Sequence, residues 1–296
     1  MSYTKLMLNG LETIRNEPTA RRFDIGDLLF AQYHCPASDT VGVWTKTDYL
    51  LHVLSAKTSW KTSKGTWTAV AGESVFFKKG AYVMPQHIEE DLCLEFFFIP
   101  DAFIKETVMD LAADLPVVAD DVNTSQLTIR VNNDAALSAF FQAMGVYFAS
   151  DENPPEPLLK LKLKELLTSI LVGQSNPALS AYFRFVASNN VPAIAPIMEM
   201  NFCHNLSIEC FAEMCNRSLS SFKREFRKQY GMSPGKWLHD RRLQHSACLL
   251  ETTTMNVTDI MFECGFEDLS HFSRAFKVKF GCSPSLYREV FVVAHR

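Results

Sequence analysis

The chain writes one phrase twice. "FRKQYGMSPGKW" runs from Phe226 to Trp237, and "FKVKFGCSPSLY" runs from Phe276 to Tyr287. Sliding the sequence by fifty aligns 219–234 with 269–284 without a gap, and eight of the sixteen positions are identical. They are Leu219/Leu269, Ser220/Ser270, Phe222/Phe272, Arg224/Arg274, Phe226/Phe276, Gly231/Gly281, Ser233/Ser283 and Pro234/Pro284. Average composition would give roughly one. A repeat this dense is a duplicated supersecondary unit.

The repeated residues dictate its shape. Leu219, Phe222, Phe226 and Tyr230 lie on one helical stripe, and Leu269, Phe272, Phe276 and Phe280 repeat it. Gly231 and Gly281 fall where a helix wants a left-handed residue to stop. Ser-Pro then supplies an N-cap and a first helical residue for the next helix. Upstream of each stripe lies a short helical segment, "SIECFAEMC" (207–215) and "VTDIMFECG" (257–265), separated from it by a short break. Two short helices joined by a tight turn form a helix-turn-helix. The units are expected at 207–231 and 257–281, joined by a helix over 233–251.

Opposite the stripe, the first copy presents Ser220, Lys223, Arg224 and Arg227, and the second presents Ser270, Ser273, Arg274 and Lys277. Arg can grip guanine O6 and N7 with two hydrogen bonds, while Lys and Ser reach phosphates or base edges. A solvated polar face is the plainer reading of one such helix. Two copies with Arg in the same phase favour nucleic acid. The joining helix spans roughly 25 Å, against ~34 Å between successive major-groove faces, so the reading helices must tilt or the duplex must bend.

The stretch from about 193 to 290 resembles the DNA-binding domain of the AraC family of bacterial transcriptional regulators. The resemblance rests on the tandem unit, its G-x-S-P ends and "DIMFECGFEDLSHFSRAFKVKFGCSPSLYR" (259–288). It implies base-reading positions at Ser220, Lys223 and Arg224, and at Ser270, His271 and Arg274. Arg242 matches the family's usual arginine on the joining helix. Arg227, Lys228, Arg242 and Lys277 are expected on phosphates. Arg217 departs from the small residues usual in the first turn; it reads as an added phosphate contact or as simply exposed. Glu267 and Asp268 suit capping and the helix dipole, yet stand close to where phosphate would run.

The front half has a different character. Asn201–Arg296 carries 13 Lys+Arg against 10 Asp+Glu, whereas the preceding 200 residues carry 16 against 23. From about 20 to 100 the chain reads as short strands, among them "LLHVLSAKTSW", "TWTAVAG", "SVFFKKGAYVM" and "LCLEFFFI". Apolar helical stripes follow: Leu137, Phe140, Phe141, Met144 and Phe148, then "LLKLKLKELLTSIL". The stripes are either core or a helix pair between subunits. The fold class expected is α+β: an antiparallel β-barrel or sandwich with following helices over 1–186, a linker at 187–192, and an all-α tandem domain over 193–296. The family resemblance implies a cupin-like regulatory or dimerisation domain in front, diffusely like the subgroup of type III secretion activators, on "AGESVFFKKGAYV" (71–83).

These readings imply a sequence-specific activator of transcription whose partners are double-stranded DNA and RNA polymerase. An effector or a regulatory protein would act at the front domain, and a homodimer is compatible with it. The alternative is a small-molecule-binding or catalytic barrel with a helical protein-docking domain. Catalysis in the front half has little to stand on: His34, His52 and His87 form no H-x-H pair, and that half holds no G-x-S-x-G. No catalytic residue, metal or cofactor is expected. The eight cysteines lack C-x-x-C spacing, and the opening residues lack the apolar core of a secretory signal. Reduced thiols in a cytoplasmic protein, without a membrane span, are the expectation.

Overall fold

Runs such as Leu50–Leu51, Phe76–Phe77 and Phe96–Phe97–Phe98 leave no polar face for water. A strand alternates its side chains between two faces, so an unbroken apolar run must be covered on both. The fold supplies both covers.

The computed structural model describes residues 7–35, 41–62, 65–84, 92–113, 115, 126–188 and 193–294. Two compact units divide it, Leu8–Pro192 and a unit comprising Ala193–Arg296. Most of the expected linker, 189–192, lies outside the described residues, as does His87.

The front unit runs β1 (Met7–Asn9), α1 (Gly10–Asn16), β2 (Arg21–Ile25), β3 (Leu28–Cys35), β4 (Val41–Thr45), β5 (Asp48–Ser55), β6 (Lys57–Thr62) and β7 (Gly65–Val70). It continues with β8 (Ser74–Phe77), β9 (Gly80–Met84), β10 (Leu92–Ile99), α2 (Asp101–Asp110), β11 (Thr128–Val131), α3 (Ala135–Ala149), α4 (Glu156–Val172) and α5 (Pro177–Ser188). The strands form a five-stranded sheet, β1-β4-β9-β6-β7, and a six-stranded sheet, β11-β8-β5-β10-β3-β2. Among the described residues the two do not close into a barrel, so the expected alternatives resolve to a sandwich.

The six-stranded sheet is the middle layer. Leu29, Leu51, Phe77 and Phe98 point into the core shared with the other sheet, alongside Trp60 and Tyr82. Their sequence neighbours Phe30, Leu50, Phe76 and Phe97 point the other way, into a core with Phe140, Phe141, Leu163, Leu167 and Phe183 of the helices. The expected stripe on α3 is buried in this core, as are Leu159, Leu166 and Leu171 of α4. Lys160, Lys162 and Lys164 pair with Glu156, Glu165 and Asp110 on the solvated flank. No described helix is long and apolar enough to cross a membrane.

Polar side chains cross the helix-facing side of the middle sheet in one row. Ser74 stands opposite His52, His52 opposite Glu95, Glu95 opposite Gln32, and Gln32 opposite Arg21. His52 Nδ1 lies 2.8 Å from Ser74 Oγ, and its ring stacks on Phe141 at 4.0 Å. Glu95 is fully buried; Gln32 Nε2 donates to its Oε1 at 3.3 Å, and its Oε2 has no partner among the described residues. A charge is costly there. Burial pushes the Glu95 carboxyl up to about 7 and the His52 imidazole down to about 4.

A second polar knot ties the layers together. Asp48 is fully buried, its Oδ1 accepting from the Lys79 backbone N–H at 2.7 Å and its Oδ2 from Tyr182 Oη at 2.8 Å. Lys79 Nζ reaches Asp101 at 2.6 Å. One carboxylate thus connects β5, the turn between β8 and β9, and α5, and Lys79 extends the link to α2.

Glu95 yields a signed prediction. Its folded pKa exceeds its unfolded value, so between about 4.5 and 7 the folded chain holds a proton that the unfolded chain has lost. That contribution to stability falls as pH rises. Relative to the parent, Glu95→Gln should gain up to ~1.4 kcal/mol per pH unit across that window and nothing below it. Urea unfolding followed by tryptophan fluorescence suits the measurement, since Trp44, Trp60 and Trp67 all lie in the front unit. A difference independent of pH would show an ordinary ionised carboxylate instead.

Candidate nucleic-acid interface

The back unit contains α6 (Ile194–Asn201), α7 (Ile208–Met214), α8 (Leu219–Tyr230), α9 (Pro234–Thr252), α10 (Val257–Glu263), α11 (Leu269–Phe280) and α12 (Pro284–Ala294). Helix boundaries follow the chemistry of the repeat. Ser218 Oγ accepts from Ser221 N–H at 3.3 Å to start α8, and Asp268 Oδ1 accepts from His271 N–H at 2.5 Å to start α11. Gly231 and Gly281 end the two helices at φ 67° and 83°, each donating its N–H to the carbonyl four residues back at 2.9 Å. Ser233 caps α9, and Ser283 Oγ plays the same part before α12.

The copies differ at their turns by one residue. Reading helices start fifty apart, at Leu219 and Leu269, but the preceding helices start forty-nine apart, at Ile208 and Val257. In the first turn Asn216 takes the left-handed position at φ 52° and Arg217 N–H closes onto Ala212 O at 3.0 Å. In the second Gly265 takes it at φ 79°, and Phe266 N–H closes onto Met261 O at 3.0 Å. Arg217 therefore occupies the place of Phe266, which is buried.

That equivalence corrects the reading of Arg217. Its side chain is 15% exposed, with Nε donating to Glu225 Oε2 at 2.7 Å and Nη1 to Cys215 O at 2.9 Å. It braces the turn against α8 where the second copy uses an aromatic ring, so the side chain is mostly covered rather than simply exposed. Arg242 is corrected more strongly. On α9, its Nε donates to Phe202 O at 2.7 Å, Nη2 to His204 O at 2.7 Å and Nη1 to Gly265 O at 3.1 Å. Burial draws its pKa below the ordinary arginine value. The guanidinium is an internal clasp between the loop before the first unit and the turn of the second. Gly265 must be glycine here twice over: its φ is positive, and a Cβ would stand 2.6 Å from Cys203 O.

The other cations expected to meet nucleic acid face solvent. Phe222 and Phe226 are fully buried on one side of α8, while Ser220, Lys223, Arg224, Arg227 and Lys228 are exposed on the rest. Lys223, Arg224, Arg227 and Lys228 border a concave surface with Ile208 and the start of α9 at Ser233–Gly235. No acidic side chain among the described residues lines it. Ile208 and Gly235 were not legible as neighbours of the cations, because the sequence does not show α9 turning back beside α8.

On α11, Phe272 and Phe276 are fully buried, and Ser270, His271, Arg274 and Lys277 are exposed. Arg274 Nε rests on Ser270 O at 3.2 Å, and Arg224 Nη2 on Ser221 Oγ at 3.3 Å. Both guanidiniums thus lie along their own helices. Leu269, expected in the apolar stripe, is 43% exposed because the stripe meets the core only from Phe272 onward. Charge is unequal between the copies: Val278, 88% exposed, stands where α8 has Lys228, and Lys279 turns inward to Asp240 at 3.2 Å.

Comparison with known proteins agrees with this geometry. Residues 211–289 match a helix-turn-helix domain family, and residues 48–182 match the ExsA N-terminal regulatory domain. The two matches, a helix-turn-helix domain behind an ExsA N-terminal regulatory domain, are those of an AraC-type regulator of transcription. The chain is 25% identical to the virulence regulon transcriptional activator VirF of Yersinia enterocolitica over 241 residues, covering 81% of this chain and 89% of that one. It is 31% identical to the HTH-type transcriptional regulator ExsA of Pseudomonas aeruginosa over 138 residues, 47% of this chain and 49% of that one. Among solved structures, an apo variant of ToxT from Vibrio cholerae aligns over 90% of this chain and 98% of its own, at 15% identity and a TM-score of 0.45.

Arg242 separates an internal role from an external one. Arg242→Met should lower the stability of the back unit by ~3 kcal/mol or more, because three carbonyls lose a charged donor. Thermal unfolding of the variant, with DNA absent, reads this directly. Unchanged stability with weakened DNA affinity would restore the phosphate role.

Proposed function

We propose that this protein is a sequence-specific DNA-binding activator of transcription that reads two adjacent major-groove segments through α8 and α11. One observation carries the reading: Arg224 and Arg274 stand exposed at equivalent positions of two capped, glycine-terminated helices whose opposite sides are locked by fully buried phenylalanines. A reading helix needs a fixed base and a solvent-facing cation, and both copies supply the pair. Ser220, Lys223 and Arg224 are the base-reading set of the first unit; Ser270, His271 and Arg274 are that of the second. Arg227, Lys228 and Lys277 serve phosphates. The concave cationic surface beside the α9 N-terminus suits a phosphate of the same strand.

The front unit, 8–192, is the regulatory half on this reading, and RNA polymerase is the partner at the promoter. The match to an N-terminal regulatory domain and the similarity to a transcriptional activator over most of the chain support both.

Fluorescence anisotropy with target and random duplexes over a range of salt tests the proposal. Arg224→Ala and Arg274→Ala should each lose ~1–3 kcal/mol of discrimination between the two duplexes. Lys228→Ala should weaken both duplexes alike and reduce the salt slope by about one. Equal losses on both duplexes for the two arginines would reduce them to phosphate contacts and remove the reading.

A further inference from the structure

The two reading helices part company at their third residue. In α8 that residue is Ser221, half-buried, whose Oγ accepts from Arg224 Nη2 at 3.3 Å. In α11 it is His271, which is exposed. Histidine is the side chain whose charge ordinarily changes between about pH 5 and 8. The second copy therefore holds a titratable group where the first has none.

His271 stands on an aromatic backing drawn from two other segments. His239 of α9 meets it edge to face with ring centres 6.2 Å apart, and Phe266 of the turn lies 6.3 Å away. His239 and Phe266 meet each other at 6.0 Å, so the three rings close a triangle. Phe266 is anchored in turn on the fully buried Phe272 at 5.0 Å. The imidazole of His271 thus has a wall behind it and solvent in front.

The charged groups around the pair are already engaged. Asp268 Oδ1 accepts from the His271 backbone N–H at 2.5 Å, and Glu267 Oε1 accepts from Asn205 at 2.8 Å. Asp240, next to His239 on α9, is held by Lys279 at 3.2 Å. Arg274, three residues along α11, rests on Ser270 O at 3.2 Å. Burial draws the His239 imidazole below the ordinary histidine value against the pull of Asp240, and the charges of His271, Lys279 and Arg242 add to the lowering. His239 is the neutral member of the pair, and a proton added to the pair belongs on His271.

We propose that the second helix-turn-helix binds DNA through a protonated His271, with His239 as the positioning residue that holds its ring toward the duplex, so that binding tightens in acid. An imidazolium donates at both ring nitrogens, and an adjacent phosphate favours the charged form. The bound chain then keeps a proton that the free chain has begun to lose. The gain in affinity is full below the free chain's titration and disappears as pH rises through that of the complex. Ser221 gives the first copy no such response. The inference rests on the reading of α11 as a base-reading helix and adds the condition under which that helix grips best.

Fluorescence anisotropy of the full chain at constant salt, on a duplex selected from a random pool at about pH 8, tests it. The parent's affinity should rise by ~fivefold or more from about pH 8 to about pH 6, with a slope of at most about one decade per pH unit, since one proton is taken up. His271→Ser, which matches the first copy, should bind alike at both. His239→Ala should lose most of the response while its affinity near the upper pH stays close to the parent's. His239→Phe, which keeps a ring behind His271, should restore it. Thermal unfolding at both pH values confirms that each variant is folded. A flat profile for the parent overturns the proposal, as does a response that survives His271→Ser. A full response in His239→Ala overturns the positioning role of His239. Discrimination by Arg224→Ala is measured at the upper pH, where His271 adds no charge, so failure here leaves the reading of α8 and α11 standing.

Discussion

Arg242 is the point on which the back unit turns. A guanidinium with its donors fixed in one plane holds three carbonyls that belong to otherwise separate segments of chain: Phe202 and His204 before the first helix-turn-helix, Gly265 inside the second. Guanidinium geometry makes this possible where an ammonium could not reach three directions at fixed angles. The second turn approaches so closely that only glycine fits at Gly265. Lys279 adds a smaller tie from α11 back to Asp240 on α9, and Tyr287 and Arg288 tie α12 to the far end of that helix. The joining helix is therefore the frame of the domain as well as its spacer, and the reading helices inherit their placement from it.

Duplication explains the common plan and also where the plan was abandoned. Caps, glycine stops and buried phenylalanines are shared because each serves the helix that carries it, whatever lies outside. The turns diverged. One copy uses a left-handed asparagine and braces the turn with an arginine–glutamate pair; the other uses a glycine and an aromatic side chain one residue further on. An ion pair and a ring fill the same position, which is why a cation there says little about nucleic acid.

Local chemistry was legible in the sequence and long-range closure was not. The stripe of Phe222 and Phe226, the stops at Gly231 and Gly281 and the Ser-Pro caps all act within a dozen residues, so their pattern reports their structure. Arg217 and Arg242 look like any surface cation when read in line, because Glu225 is eight residues from the first and the carbonyls are twenty-three to forty from the second. In the front half, strands were visible as apolar runs, but the sheet order and the open edge depend on pairings across the chain. A signal for the polar row did exist. Glu95 and His52 each interrupt an apolar run, in "LCLEFFFI" and "DYLLHVLS", and a lone ionisable group inside such a run marks a buried one.

The unequal charge of the two reading helices has a kinetic meaning. Long-range attraction acts before any base is touched and scales with the local density of cations. The α8 surface carries four cations along its groove and, among the described residues, no acid, so its attraction for a polyanion is the stronger of the two. The α11 surface, preceded by Glu267 and Asp268 and carrying Val278 where its twin has lysine, gains little from mere proximity. On the proposed function, approach to a duplex would be steered more by the first helix-turn-helix than by the second, while both helices read bases.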